Sequence, residues 1–189
     1  MKKSVKIKVG FSFFALNSLI FLLCSSGEVL RFYTVCFSHE LGHLIALTIV
    51  GGRLSSVTLT AAGIRMETEK RPAEARWKSI LTLMSGPAVN LAVFAFLSFF
   101  YNGGTAANLN LAAAIYNLLP YRHLDGGAAI ALFTEGSVFQ QTAELILLAI
   151  RIVISVVLFI AFLIVGVKAL PLFVVSLMLL VASYTGCNS

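Results

Sequence analysis

Runs of about 20 consecutive, mostly apolar residues recur along this 189-residue chain. A helix of that length spans the hydrocarbon core of a bilayer. Hydrophobic residues make up 59% of the chain and charged residues only 12%, and the mean hydropathy is +0.94. A soluble domain of this size would need far more polar surface to cover its core. The sequence therefore predicts a membrane protein.

The apolar runs predict an all-α, polytopic membrane protein with about six transmembrane helices. The expected spans lie at roughly 9–26, 29–50, 78–101, 106–134 (broken), 143–166 and 169–185. The basic, then apolar start of the chain is also compatible with a signal peptide. Leu23 before Cys24 argues against lipoprotein processing, and we expect an uncleaved first span. Residues 1–189 are expected to form a single membrane-embedded domain.

The net charge of +6 is concentrated beside the apolar runs. Four lysines precede the first run, and six more basic residues lie between Arg53 and Lys78. We expect the chain to lie in the cell membrane. By the positive-inside rule, residues 51–77 and both termini should face the cytoplasm. Flanking charge of this kind explains the basic balance, so no nucleic-acid partner is expected. The three cysteines include no CxxC pair, which indicates no disulfide framework.

Residues 51–77 form the longest polar stretch and predict a small cytoplasmic β-hairpin with a linker. Residues 54–60 are rich in β-branched side chains, Gly63 permits a turn, and residues 64–67 alternate between apolar and polar. Pro72 suits the first turn of a following helix.

His39, Glu40 and His43 form an HExxH pattern inside an apolar run. Positions i and i+4 of a helix share a face, so both imidazoles can reach one metal ion. Glu40 can then accept a proton from the attacking water, as metal-assisted hydrolysis requires. Ionisable residues at membrane depth are costly and usually functional, so we predict a metal site here.

A zinc site of this kind usually has a third protein ligand. His123 and Asp125 are the other His and Asp residues of the chain, so we expect the ligand between Asn117 and Gly127. Pro120 would interrupt a helix roughly 21 Å from its start, the same depth as His43 in the earlier span. His123 so close to Asp125 is more typical of a loop histidine. Cys36 as a ligand would close the site to water.

Other polar residues in the apolar runs have weaker functional claims. The stretch Ser85–Asn90 contains small residues and a proline, which is typical of a packing notch between helices. Asn117 lies beside the expected site and can hydrogen-bond a substrate carbonyl or a developing oxyanion, or simply another helix. Arg151 is expected to snorkel to the cytoplasmic surface.

Three motifs follow one another in a specific order over residues of about 30–130. They are His39-Glu40-x-Gly42-His43, Ser85-Gly86-Pro87-x-x-Asn90, and Asn117-x-x-Pro120 followed by Leu124-Asp125-Gly126-Gly127. In this order and spacing the sequence resembles the site-2 protease family of intramembrane zinc metalloproteases. The single span before and two spans after this core are similar to the bacterial sporulation factor IVFB group, which releases a membrane-tethered pro-sigma factor by regulated intramembrane proteolysis.

The resemblance implies a Zn²⁺ ion held by His39, His43 and Asp125, with Glu40 as the catalytic base. It implies a three-span catalytic core, here residues 29–134, a membrane-tethered protein substrate in the lipid bilayer and scope for a membrane-bound regulator. Ala128 departs from the family, in which arginine is frequent at that position. Two alternatives remain open: a metallopeptidase with a glutamate third ligand, and a non-proteolytic zinc-binding membrane scaffold or metal carrier.

Overall fold

The computed structural model describes residues 6–23, 25–60, 63–68 and 76–165. Helices dominate this part of the chain, as predicted, and the strands are short. The helices are α1 (Phe11–Leu23), α2 (Ser26–Ile49), α3 (Arg76–Tyr101), α4 (Thr105–Leu118), α5 (Asp125–Thr134) and α6 (Gln140–Val165). The strands are β1 (Lys6–Val9), β2 (Leu54–Thr60) and β3 (Gly63–Thr68). The chain divides into two compact units, residues 1–114 and 115–189.

Two of the described helices, α3 and α6, are long and apolar enough to cross a membrane, judged by length and composition. They coincide with the predicted spans 78–101 and 143–166. Helix α2 coincides with the predicted span 29–50, but its polarity is mixed because it carries the HExxH pattern. Helices α4 and α5 together occupy the predicted broken span. The span expected at 169–185 lies outside the described residues.

The first predicted span is longer than the helix that forms there. Helix α1 has 13 residues, or roughly 20 Å, and is preceded by strand β1. Strand β1 pairs in parallel with β2, with Lys6 opposite Ser56 and Val9 opposite Leu59. Residues 6–9 alternate charged and apolar side chains, a strand pattern that the neighbouring apolar run obscured.

The predicted hairpin is present as strands β2 and β3. They pair antiparallel, with Thr58 opposite Arg65 and Thr60 opposite Gly63. The sheet order is β1-β2-β3, so β2 is the central strand and its Ser56 is buried. Arg71 and Pro72, expected to begin the next helix, lie outside the described residues.

Helices α2 and α3 approach closely at Gly42. A Cβ atom at this position would lie 2.7 Å from the carbonyl oxygen of Ser85 and 2.9 Å from Cγ2 of Val89. No ordinary side chain fits that space, so glycine is required for this helix spacing. Pro87 lies inside α3 and cannot donate to the carbonyl of Leu83, which loosens the helix at the same level.

In the second unit, the break after α4 is a tight turn over residues 119–124, here called the 119–124 turn. Pro120 cannot extend α4, which ends at Leu118. A Cβ at Gly126 would overlap the carbonyl of Leu118, and one at Gly127 would overlap the backbone of Tyr121. The two glycines therefore let the first turn of α5 lie directly against this turn.

Helix α6 has one buried face, formed by residues four apart: Leu147, Arg151 and Ser155. Arg151 is only 3% exposed, so the expectation that it snorkels to the surface is wrong. Its Nε donates to the carbonyl oxygen of Pro120 at 2.5 Å. The physical reason is the broken backbone: the N–H of Leu124 donates to Tyr121 instead of Pro120, and Arg151 supplies a donor for the Pro120 carbonyl.

Candidate metal centre

The two histidines of the HExxH pattern lie one helical turn apart on α2. Their Nε2 atoms face each other at 3.1 Å, and the His39 side chain is buried. This is the geometry that the i, i+4 spacing predicts for two ligands of one metal ion.

The other ring nitrogen of each histidine contacts α3. Nδ1 of His43 lies 2.7 Å from the carbonyl oxygen of Thr82. A carbonyl only accepts hydrogen bonds, so the proton of neutral His43 resides on Nδ1 and its Nε2 keeps the lone pair. Nδ1 of His39 lies 3.3 Å from the side-chain amide of Asn90, which is fully buried and which also contacts Ser38. The nearest amide atom is Nδ2, a donor, and a 180° turn of the amide places its oxygen there as the acceptor that a protonated Nδ1 of His39 needs.

Gly86 provides the space in which the two imidazoles lie. A Cβ at this position would overlap Nε2 of His43 and would lie 2.8 Å from Cε1 of His39. The stretch Ser85–Asn90 is thus a packing notch, as its small residues indicated. What packs into the notch, however, is the pair of predicted metal ligands.

Asp125 is the first residue of α5, where the partial positive charge of a helix N-terminus favours a carboxylate. His39, His43 and Asp125 are a group of side chains that could hold a metal ion, because they offer two imidazole nitrogens and one carboxylate oxygen. Two imidazoles and a carboxylate suit zinc, and three protein ligands leave a fourth position open. The donor set therefore fits the expected ion, and Gly86 leaves the room that the two imidazoles occupy.

The remaining predicted residues lie outside this group among the described residues. Glu40 is half-buried on α2, adjacent to His39 in the chain. Asn117 is half-buried in the last turn of α4. His123 is exposed in the 119–124 turn and Cys36 is half-buried on α2. Neither His123 nor Cys36 belongs to the group of possible ligands found among the described residues.

Sequence reasoning missed the contacts of two residues, that of Thr82 with His43 and that of Arg151 with Pro120. Thr82 contributes only its backbone carbonyl, and a backbone contact leaves no signal in residue type. Arg151 had a signal, because a charged residue inside an apolar run is usually functional, but its position near one end of the run favoured snorkelling.

No protein-family model matches the sequence. Over 101 residues, 48% of the chain, the sequence is 32% identical to a proposed zinc metalloprotease of Synechocystis sp.. The match covers 26% of that protein, so the chain spans about a quarter of this relative's length. The structure is similar to the site-2 protease from Methanocaldococcus jannaschii, with a TM-score of 0.64 and 19% identity.

This structural likeness covers 95% of the chain and 89% of the archaeal chain. At that identity it is evidence of fold and leaves the activity of this chain to be argued from its own residues. The protein has the fold of the site-2 protease from Methanocaldococcus jannaschii.

Proposed function

We propose that the protein is an intramembrane zinc metalloendopeptidase that hydrolyses a peptide bond within or next to a transmembrane segment of a membrane-tethered protein. The observation that carries this proposal is the group of His39, His43 and Asp125. Its histidines have their Nδ1 atoms against α3 and their Nε2 atoms together. The site-2 protease fold and the sequence relation to a proposed zinc metalloprotease support the same function.

Each residue has a distinct role in this proposal. A zinc ion, when bound, would polarise the scissile carbonyl and make water a better nucleophile. Glu40 accepts the proton of the attacking water and passes it to the leaving amine. Asn117 donates a hydrogen bond to the substrate carbonyl as negative charge develops on its oxygen. The ligands His39, His43 and Asp125 keep their donor atoms oriented through the whole cycle.

The proposed substrate is a membrane-tethered protein, and its cleaved segment must unwind because helical backbone carbonyls are engaged in hydrogen bonds. The finer proposal is release of a membrane-tethered transcription factor precursor, as in the sporulation factor IVFB group. It rests on the predicted arrangement of spans around the core. Release of a soluble domain from a tethered precursor, when the two are expressed together in cells, tests that part.

The decisive experiment replaces Glu40 by Gln. The amide keeps the size of the carboxylate but cannot accept the proton, so cleavage should fall by about 10²- to 10⁴-fold while zinc stays bound. Cleavage of a single-span reporter and zinc content of the purified protein are measured together. Glu28→Gln is the matched control, because Glu28 is exposed at the start of α2. Near wild-type cleavage by Glu40→Gln would contradict the protease assignment and favour a zinc-binding scaffold.

The proposed orientation places residues 51–77 and both termini in the cytoplasm. Ser55 is exposed on β2 and is a better labelling site than its buried neighbour Ser56. A cysteine introduced at Ser55 should react with a membrane-impermeant reagent only after cells are opened. Strong labelling of intact cells would mean that the orientation is inverted.

A further inference from the structure

Arg151 is a buried, charged residue in an otherwise apolar stretch of α6. It is the one charged residue between Leu145 and Val165, in the most apolar part of α6. A charged side chain at such a position is costly and usually has a specific partner. The partner here is the carbonyl oxygen of Pro120, which accepts from Nε of Arg151 at 2.5 Å.

A second contact joins the same two elements. Arg122, also in the 119–124 turn, lies 3.6 Å from the carboxylate of Glu144. Glu144 precedes Arg151 by seven residues and so shares its side of α6. Both partners of this ion pair are partly exposed, so the pair contributes little by itself. Of these two contacts between α6 and the 119–124 turn, the buried bond from Arg151 is therefore the stronger.

The 119–124 turn also packs tightly against the first residues of α5, so the two cannot move independently. Gly126 lies against the carbonyl of Leu118 and Gly127 against the backbone of Tyr121, so closely that a Cβ would overlap either. Tyr121 itself is fully buried. Asp125 directly precedes these glycines, so a shift of the turn must move its carboxylate as well.

We infer that Arg151 is a positioning residue: by holding the Pro120 carbonyl it sets the 119–124 turn and thereby the orientation of the Asp125 carboxylate toward the metal. The inference rests on the proposed function, because it takes Asp125 as a zinc ligand. It assigns α6 a part in the metal site beyond anchoring the chain in the membrane.

The test measures zinc affinity of the full chain in detergent by competition with a chelator, together with the absorption spectrum of the cobalt-substituted protein. Arg151→Met should weaken zinc binding by about 10- to 100-fold, the usual effect of losing an outer-shell partner, and should alter the cobalt spectrum. Arg31→Met is the matched control. Arg31 also donates through Nε to a backbone carbonyl, that of Gly27, but does so at an exposed position of α2.

A purely structural role for Arg151 is separated by a double-mutant cycle. If Arg151 acts through Asp125, then Arg151→Met should change zinc affinity by less than about twofold in an Asp125→Ala background. In a His39→Ala background the same change should keep its full effect. Equal losses in both backgrounds would mean that Arg151 only stabilises the fold, and would overturn the inference.

The remaining outcomes also decide the matter. If the wild-type chain binds no zinc, the proposed function fails and the inference with it. If the wild-type chain binds zinc and Arg151→Met binds it equally well, only the inference is overturned. If Arg151→Met does not fold, Arg151→Lys replaces it, because lysine keeps the charge but not the planar, rigid donor group. Wild-type affinity and cobalt spectrum in Arg151→Lys would then overturn the inference.

Discussion

The two parts of the molecule that contain the proposed metal ligands hold them by different means. In the histidine half, formed by α2 and α3, both ligands belong to one uninterrupted helix, and their Nδ1 atoms contact Thr82 and Asn90 on its neighbour. In the aspartate half, formed by the 119–124 turn, α5 and α6, the ligand follows a break in the chain. Its position depends on backbone contacts at two glycines and on one buried arginine.

The comparison shows how differently a sequence encodes the two arrangements. Helical periodicity alone brings His39 and His43 together, so α2 needs α3 mainly to orient the rings. Asp125 has no such periodic relation to its supports, which lie up to 26 residues away at Arg151. The aspartate half should therefore be the more sensitive of the two to changes outside the motif.

The largest effect is expected from removal of the ligands themselves. His43→Ala and Asp125→Ala should each weaken zinc binding by more than roughly 100-fold, the upper end of the effect of outer-shell changes. Metal analysis and chelator competition measure this loss. His123→Ala removes an exposed imidazole that lies outside the ligand group and should change nothing. Full zinc occupancy and activity in Asp125→Ala would point to a glutamate as the third ligand instead.

Alanine substitutions of glycine distinguish the two halves by what each Cβ meets. In Gly86→Ala the added Cβ contacts the imidazole rings of His39 and His43. Zinc affinity should therefore fall while the helices remain folded. Gly127→Ala meets the backbone of Tyr121, which cannot rotate away, so it should lower the free energy of unfolding, by about 1–3 kcal/mol or more. Thermal unfolding and zinc binding are measured on both. Gly27→Ala is the control, because its Cβ meets only ordinary contacts in α2. Equal losses of stability in both variants would remove the distinction.

The orienting contact from α3 is expected to have a smaller effect. Asn90→Ala removes the amide beside Nδ1 of His39 and should weaken zinc binding by about 10- to 100-fold without emptying the site. Asn110→Ala is matched to it, since Asn110 is also a buried asparagine in a helix but bonds only to the carbonyl of Ala106 in the described contacts. Zinc affinity unchanged in Asn90→Ala would mean that periodicity alone orients His39.

The smallest effect concerns how the helices of the two halves begin. The hydroxyl and backbone N–H of Ser25 donate to the Glu28 carboxylate at the start of α2, and they lower the pKa of that carboxyl from its ordinary 4.5. Helix α5 begins at Asp125, and Leu124, which precedes it, provides no side-chain cap. The Glu28 contribution to stability is complete above pH 4.5 and is lost as the pH falls through the lowered pKa. Thermal unfolding of wild type and Glu28→Gln between neutral pH and about pH 3 should converge on acidification. A gap between the two that stays constant with pH would contradict this cap.

The strands and the helix ends show the limits of reading the sequence. The hairpin of β2 and β3 was predicted because alternation and Gly63 are local signals. Strand β1 was missed because its pairing partner, residues 56–59, is distant in the chain. Arg151 was assigned to the surface because snorkelling is the usual outcome for a long basic side chain near a helix end. Its actual partner depends on which carbonyl the 119–124 turn leaves for it.

The sequence by itself determined the helical, apolar character of the chain, the pairing of His39 with His43, and the break that precedes Asp125. These features follow from composition, from helical periodicity and from the backbone limits of proline and glycine, all of which act locally. Only the tertiary structure decided that Thr82, Asn90 and Gly86 surround the imidazoles and that Arg151 bonds to Pro120. Those contacts join residues distant in sequence, and two of them use backbone carbonyls, which every residue type presents alike.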